Sequence, residues 1–476
     1  MMTKEKSVIA LAEALIFDQA LVKFQGAYVG AVAALSQLGD APGLNYGEVF
    51  IRDNVPVMLY LLLKGKTEIV RHFLNTCLQL QSSQFQTRGI FPTSFVEQEG
   101  KLIADYGQRA IGRVVSVDAT LWWPILAWMY VQRTGDQEWA CSPTVQSGLQ
   151  RFLELILHPQ FREAPTLFVP DGAFMIDRPL DVWGAPLEIQ VLLYGALLSS
   201  AGLMLHHFEG DQHLLKRCLD RARRLRHYLL KHYWVNRQTI QVLRRRPTEE
   251  YGDTITNEYN IQTEMIPHWL QDWLGADGGF LLGNIRTGRP DFRFFTLGNC
   301  LGAIFGVISP RQQRALFELV IHNQTALVGQ MPMRICHPPL NDEEWRRKTG
   351  YDRKNLPWCY HNAGHWPSLS WYLVLAIQSY RKHYPDSILD PQILILLNQI
   401  YQLLLQQLPR QRWAEYFDGP NGTWIGQQAR LNQTWTIVGF LLVHHFLKVC
   451  PDDANILDLP VLKDLERKFE TNQNLT

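Results

Sequence analysis

The stretch Phe50-Ile51-Arg52-Asp53-Asn54-Val55-Pro56-Val57-Met58-Leu59-Tyr60-Leu61 joins a charged turn directly to an apolar run. Its apolar and aromatic residues recur at three- and four-residue spacing, as in Val57-x-x-Tyr60-Leu61, which predicts a helix with a polar entrance. The same transition recurs at Ser116-Val117-Asp118-Ala119, Pro186-Leu187-Glu188-Ile189-Gln190, Leu297-Gly298-Asn299, His361-Asn362-Ala363-Gly364-His365-Trp366-Pro367 and Asn432-Gln433-Thr434-Trp435. Marked by Asp53, Asp118, Glu188, Asn299, His365 and Gln433, the six junctions lie about 65, 70, 111, 66 and 68 residues apart. A unit of that length holds an inner helix, an outer helix returning antiparallel, and two connections. The prediction is an all-α chain forming an (α/α)6 toroid, one domain over residues 1–476 with one insertion. In such a ring the inner helices run parallel, and their polar entrances gather in one funnel.

The insertion falls between Glu188 and Asn299, at about residues 235–290, where Ile240-Gln241-Val242-Leu243 followed by Tyr251 to Ile261 reads as a short strand pair or a lid. The polar tail over about residues 451–476 is expected to fray. With 46% hydrophobic and 11% aromatic residues the chain can fill a deep core, and its longest apolar runs fall short of the roughly 18 to 20 residues of a membrane span. A net charge of +1 offers no broad field for nucleic acid or anionic lipid. The basic run Arg221 to Arg226, with Arg244 to Arg246, reads as a solvated helix face or a subunit contact. Apolar and basic clusters such as Leu214 to Leu230 suit an interface, so a homo-oligomer is expected.

The start of the chain, with Glu13 and Asp18 inside its first helix-like stretch, lacks the pattern of a secretory signal. Seven scattered cysteines without a CxxC pair read as reduced, mostly buried thiols, so the expected location is cytoplasmic. No metal or cofactor is expected. His361 and His365 lie four apart, but no glutamate of a zinc motif stands between them, and hydrogen-bonding or structural roles are the reading. Gly-rich phosphate loops and Gly-x-Ser-x-Gly are absent.

Carboxylates, amides, arginine and tryptophan crowd the junctions, the composition that sugar recognition requires: hydroxyls need paired donors and acceptors, and pyranose faces need aromatic walls. Trp122, Trp123, Trp183, Trp358, Trp366, Trp413, Trp424 and Trp435 sit in or beside these segments, although a lone tryptophan is more often core. Asp177 lies in a loop of apolar neighbours, Asp171-Gly172-Ala173-Phe174-Met175-Ile176-Asp177-Arg178, which would favour a protonated acid. Equally, it reads as a partner of Arg178 or a turn cap. Glu415, in Trp413-Ala414-Glu415-Tyr416-Phe417-Asp418-Gly419, precedes the sixth inner helix, with an ordinary surface ion pair as the competing reading. Units three and six of a six-membered ring face each other, so Asp177 and Glu415 would stand on opposite walls as acid and base of a glycosidic cleavage.

Met175-Ile176-Asp177-Arg178 with Pro186 to Gln190, Glu415 to Asp418 with Ile425-Gly426-Gln427-Gln428-Ala429-Arg430, Leu431 to Thr436, and Phe50 to Asp53 resemble the alkaline/neutral invertases of cyanobacteria and plants, glycoside hydrolase family 100. The resemblance runs from about Asn45 to His445. It implies an (α/α)6 fold and cofactor-free hydrolysis of sucrose to glucose and fructose with inversion, with Asp177 as general acid and Glu415 as general base. It further implies that Arg52, Asp53, Asp118, Arg178, Glu188, His361, Asn362, Gln428, Arg430 and Gln433 stand near the sugar. The chain departs from the family pattern at Pro179-Leu180-Asp181, where a second arginine and Met-Gly are usual, which bears on fructose-side recognition. Two other readings stay open: an inverting hydrolase of another small α-glucoside, and a non-catalytic sugar-binding or assembly protein on the same ring.

Overall fold

The computed structural model describes residues 2–35, 45–109, 114–158, 165–205, 211–243, 261–286 and 289–473. Six core helices begin at or close to the six polar junctions: Ile51–Leu63, Val117–Thr134, Leu187–Met204, Thr296–Ile304, Ser370–His383 and Thr434–His444. The fifth starts late because Pro367 opens a 3-10 turn, Pro367–Leu369, ahead of it. Each of these inner helices packs against the next, and the sixth packs against the first. Helices Thr67–Gln79, Pro143–Ile156, Gln212–His232, Pro310–His322 and Gln392–Gln407 alternate with them along the chain.

The two sets differ in sequence pattern as their positions demand. Every residue of Leu187–Met204 is buried, whereas Pro143–Ile156 buries a stripe, Val145, Gly148, Leu149, Phe152, Leu153 and Ile156, and leaves its other face wet. Leu187–Met204 is long and apolar enough to cross a membrane, contrary to the reading of the apolar runs, but neighbouring elements cover it completely.

A shared device fixes the entrances. Asn54, Thr120, Gln190 and Asn299 each occupy the fourth position of an inner helix. The Asn54 amide accepts from Ala31 N–H at 2.8 Å and donates to the same residue's carbonyl at 2.9 Å. Gln190 does the same to Leu167 (2.8 and 2.8 Å) and Asn299 to Leu281 (2.8 and 2.9 Å), while the Thr120 hydroxyl makes the corresponding pair to Phe91 at 3.1 and 3.5 Å. Each amide also donates to the carbonyl four residues earlier, Phe50, Pro186 or Phe295, one of the backbone groups at the helix entrance. At four of the six entrances the clamped segment and the helix start therefore keep a constant relation.

Short antiparallel strands lie at the same end. Val49–Phe50 pairs with Ser94–Gln98, Ala185–Pro186 with Asn284–Arg286, and Phe294–Phe295 with Cys336–His337, each running straight into an inner helix. The chain is thus mainly helical with small sheets at the junctions, more strand than the sequence reading allowed.

Three further expectations change. Ile240 to Leu243 belongs to a helix, Arg237–Leu243, entered through Asn236, whose side chain accepts from Thr239 N–H at 2.8 Å. The strand pair of this region is instead Trp234–Asn236 with Gly279–Leu281. Residues 244–260, including Arg244 to Arg246 and nearly all of Tyr251 to Ile261, lie outside the described residues. The C-terminal stretch does not fray over its described part. Leu462–Gln473 is a helix that buries Leu465 and Phe469, and Glu466 receives Arg223 Nε at 2.8 Å. Leu214, Leu215, Leu219, Leu225 and Leu229 face inward, on a helix packed against Leu187–Met204, and are unavailable to another subunit. Arg221 also turns inward, donating to the carbonyls of Ile156, Pro165 and Thr166.

Candidate active site

At the junction end, a pocket of roughly 670 Å³ measured out to its mouth is walled by Tyr46, Arg52, Asp53, Asp177, Tyr360, His361, Glu415, Gln433, Trp366 and Trp435, among others. It draws on the entrances of the first, second and sixth inner helices and on the loops leading into the third and fifth. Asp177 and Glu415, far apart in sequence, share its wall.

Asp177 is placed by a self-capped loop. The Asp171 carboxylate accepts backbone N–H groups from Leu180, Asp181 and Val182 at 3.2, 2.9 and 3.2 Å, drawing the loop into a closed turn. Gly172 has φ +81°, and a Cβ there would stand 3.3 Å from the Asp177 carbonyl, so a side chain would push on the segment that carries Asp177. Tyr360 donates its hydroxyl to Asp177 Oδ1 at 3.0 Å, and His361 Nδ1 lies 3.6 Å from the same oxygen. About 28% of the Asp177 side chain is open to the pocket. Burial pushes its pKa up, against the pull of Arg52, the Tyr360 hydrogen bond, Lys354 and Arg178.

Glu415 is held by its own turn. Its N–H donates to the Arg430 carbonyl at 2.8 Å, Arg430 N–H returns a bond to Oε2 at 3.2 Å, and Tyr46 donates to Oε1 at 3.4 Å. Burial pushes the Glu415 carboxyl up to about 7, offset by Lys354 and the Arg430 N–H and reinforced by Asp177 and Asp53. Close by, Asp418 accepts from Tyr360 N–H at 3.1 Å and Gln427 N–H at 2.9 Å, tying the Glu415 turn to the tyrosine bonded to Asp177. Gly426 packs so tightly on the Tyr416 ring that a Cβ would come within 1.9 Å of it.

On the floor, Arg52 donates to Asp118 Oδ2 at 2.8 Å and to Ser116 Oγ at 3.3 Å. Asp118 is fully buried and supports Arg52 from behind. Burial pushes Asp53 up to about 6, against Arg52 and a hydrogen bond from Gln433. Gln433 also caps the sixth inner helix, accepting from Trp435 N–H at 3.2 Å. Glu188 lies deeper, against a small void shared with Arg52, Trp122, Tyr372 and Trp435; burial and the Asp118 charge push it up to about 8. His361 is buried and held neutral, its pKa well below the ordinary value because burial and the cations Lys354, Arg52 and Arg178 oppose a further charge. His365 is likewise neutral, Nδ1 against the Met331 carbonyl at 2.6 Å.

The remaining expected residues are placed differently. Arg178 pairs with Asp352, its Nη1 lying 3.3 and 3.2 Å from the two carboxylate oxygens, the interaction its neighbour Asp177 does not make. Asn362 spends its amide on backbone, accepting from Leu340 N–H and donating to the Leu340 and Asn355 carbonyls, so it holds the frame. Gln428 is exposed, with φ +63°, and does not line the pocket. The Arg430 guanidinium stacks over the Tyr46 ring at 4.7 Å. Of the tryptophans, Trp366 and Trp435 reach the pocket and Trp122 the void beneath; Trp123 and Trp413 are core, and Trp183 and Trp424 are exposed. Asp181, in the departing segment, binds Arg286, and Lys348 at 3.2 Å, and the segment takes its shape from Asp171. Sequence reasoning missed Tyr46, Tyr360 and Lys354, which stand in short 3-10 turns or loops where spacing carries no signal, although Tyr360 directly precedes the His361 junction.

The profile of the alkaline and neutral invertases matches residues 13–450. Among curated relatives, the probable alkaline/neutral invertase A, chloroplastic, of Arabidopsis thaliana is 40% identical over 91% of this chain and 69% of its own length. Cytosolic invertase 1 of Oryza sativa subsp. japonica is 38% identical over 90% of this chain and 76% of its own. In fold, the chain is similar to the GH63 mannosylglycerate hydrolase of Thermus thermophilus, solved in complex with glucose, with a TM-score of 0.54 over 92% of this chain and 99% of that one at 10% identity. Such a distant likeness speaks for the helical glycosidase fold alone, while the sequence matches span the junctions, the Asp177 loop and the Glu415 turn: the chain belongs to the alkaline and neutral invertase family.

Proposed function

We propose that this protein hydrolyses sucrose to glucose and fructose by a single displacement with inversion. The observation that carries the reading is the pair Asp177 and Glu415 on the wall of one pocket, each served by a tyrosine hydroxyl. In the proposed step, Asp177 gives its proton to the glycosidic oxygen as the glucosyl C1–O bond breaks, and fructose leaves. Glu415 takes a proton from the water whose oxygen forms the new bond to C1 from the opposite face. Arg52, Asp53, His361 and Gln433 supply donors and acceptors for glucose hydroxyls, Trp366 and Trp435 supply apolar walls, and Asp118 and Glu188 support from below. The chemistry draws on carboxyl groups alone and needs no cofactor.

The closed cycle of six inner helices supports an (α/α)6 toroid forming a single catalytic domain, with its insertion at about residues 235–290. Seven cysteines with no disulfide among the described residues suit a reducing compartment, and the cytoplasm is the proposed one, although relatives include chloroplastic as well as cytosolic forms. A homo-oligomer remains part of the proposal, with its interface elsewhere than Leu214 to Leu230. The test is release of glucose and fructose from sucrose, beside trehalose and maltose, at neutral pH with a chelator present. Release from sucrose alone is expected; activity only on another disaccharide would retract the substrate, and activity on none would favour a sugar-binding role.

A further inference from the structure

Lys354 lies on the turn Arg353–Asn355, which is fastened to the Asp177 loop at two points. Asp352 holds Arg178 at 3.2 Å, and the Asn355 amide donates to the Pro179 carbonyl at 3.4 Å. This places the Lys354 ammonium 4.1 Å from the centroid of the Tyr360 ring and 5.4 Å from that of Tyr416. The two rings meet edge to face at 4.8 Å; Tyr360 carries the hydroxyl bonded to Asp177, and Tyr416 adjoins Glu415 in the chain. Among the described residues no carboxylate stands within 4.0 Å of this partly buried ammonium, so its charge is not spent on a local ion pair. An ammonium on two aromatic faces is favourable in its own right, which lets it stay charged without a counter-ion.

We propose that Lys354 is a positioning residue of the reaction, whose fixed charge behind the Tyr360–Tyr416 pair sets the proton affinities of Asp177 and Glu415 together. The inference rests on the acid and base assignments made above. The groups facing Glu415 are Lys354, Asp177, Asp53, Tyr46, Tyr360, Tyr416 and the Arg430 N–H; those facing Asp177 are Arg52, Tyr360, Lys354, Arg178, His361, Glu415, Asp53 and Tyr46. Lys354 acts on both carboxyls, lowering each, and burial in turn weakens its own hold on its proton. Removing the charge therefore raises both affinities. The acidic limb of activity, governed by the base, and the alkaline limb, governed by the acid, should move up together.

The test compares kcat/KM against pH for the wild type, Lys354→Met and Lys354→Arg on the disaccharide the wild type cleaves. Methionine keeps the stem without the charge; arginine keeps the charge and stacks on the same rings. Lys354→Met is expected to shift both limbs upward by roughly half to one pH unit, a three- to tenfold loss on the acidic side, with Lys354→Arg restoring the wild-type profile. Superimposable profiles for wild type and Lys354→Met would overturn the inference, as would an equal loss in both variants with the limbs unmoved. A wild-type protein that cleaves no disaccharide would instead sink the functional reading itself.

Discussion

Replacing Glu188 by glutamine isolates the cost of a buried charge. Glu188 is 7% exposed, its Oε1 has no hydrogen-bond partner among the described residues, and its carboxyl is pushed from 4.5 up to about 8, first by burial and then by Asp118. A group whose pKa is raised by folding contributes its stability fully below the unfolded value and loses it as the pH rises through the folded one. Here that window runs from about 4.5 to about 8. At 1.36 kcal/mol per unit, a rise of 3.5 units (8 minus 4.5) corresponds to about 5 kcal/mol in all, of which about 4 kcal/mol falls between pH 5 and pH 8.5. Glutamine keeps the shape and cannot ionise. Denaturant unfolding of the two proteins at both pH values cancels every other titrating group to first order. Glu188→Gln should be near neutral or slightly destabilising at pH 5 and more stable than the wild type by several kcal/mol at pH 8.5. A stability difference that stays constant across this range would show that Glu188 is solvated or paired as a carboxylate, and would refute the reasoning.

Asp177→Asn and Glu415→Gln should each leave a folded protein with turnover reduced roughly 10²–10⁴-fold, and near-normal rates in either would remove that residue from its role. Because Glu415 is raised from 4.5 to about 7, kcat/KM should fall as the pH drops through about 7 and the base takes up a proton; a profile flat between pH 6 and 8 would contradict this. Asn299→Ala strips both partners from Leu281 and should cost about 2–4 kcal/mol in denaturant unfolding, whereas a loss under about 0.5 kcal/mol would deny the clamp its structural role.

Much of this arrangement was legible because it repeats. A polar residue ahead of an apolar helix is visible once, and six times at a spacing that is nearly constant apart from one insertion it predicts where helices begin. The carboxyl pair was legible because Asp177 and Glu415 each precede a junction. What stayed hidden was direction. Arg178 follows Asp177 in the chain yet turns to Asp352, and Asn362 sits at a junction yet gives both ends of its amide to backbone. Nothing local distinguishes an amide that binds a ligand from one that clamps a strand. Lys354 and Tyr360 meet across segments without periodicity, and the apolar face of Gln212–His232 carried no mark of which side it would cover.

The central claim is most directly tested by following sucrose cleavage with proton NMR in the first minutes, before the released glucose mutarotates. Attack by a water held by Glu415 on the face opposite the bond protonated by Asp177 predicts that β-glucose appears first and α-glucose only later. Initial release of α-glucose would contradict the single displacement and the roles given to the two carboxyl groups.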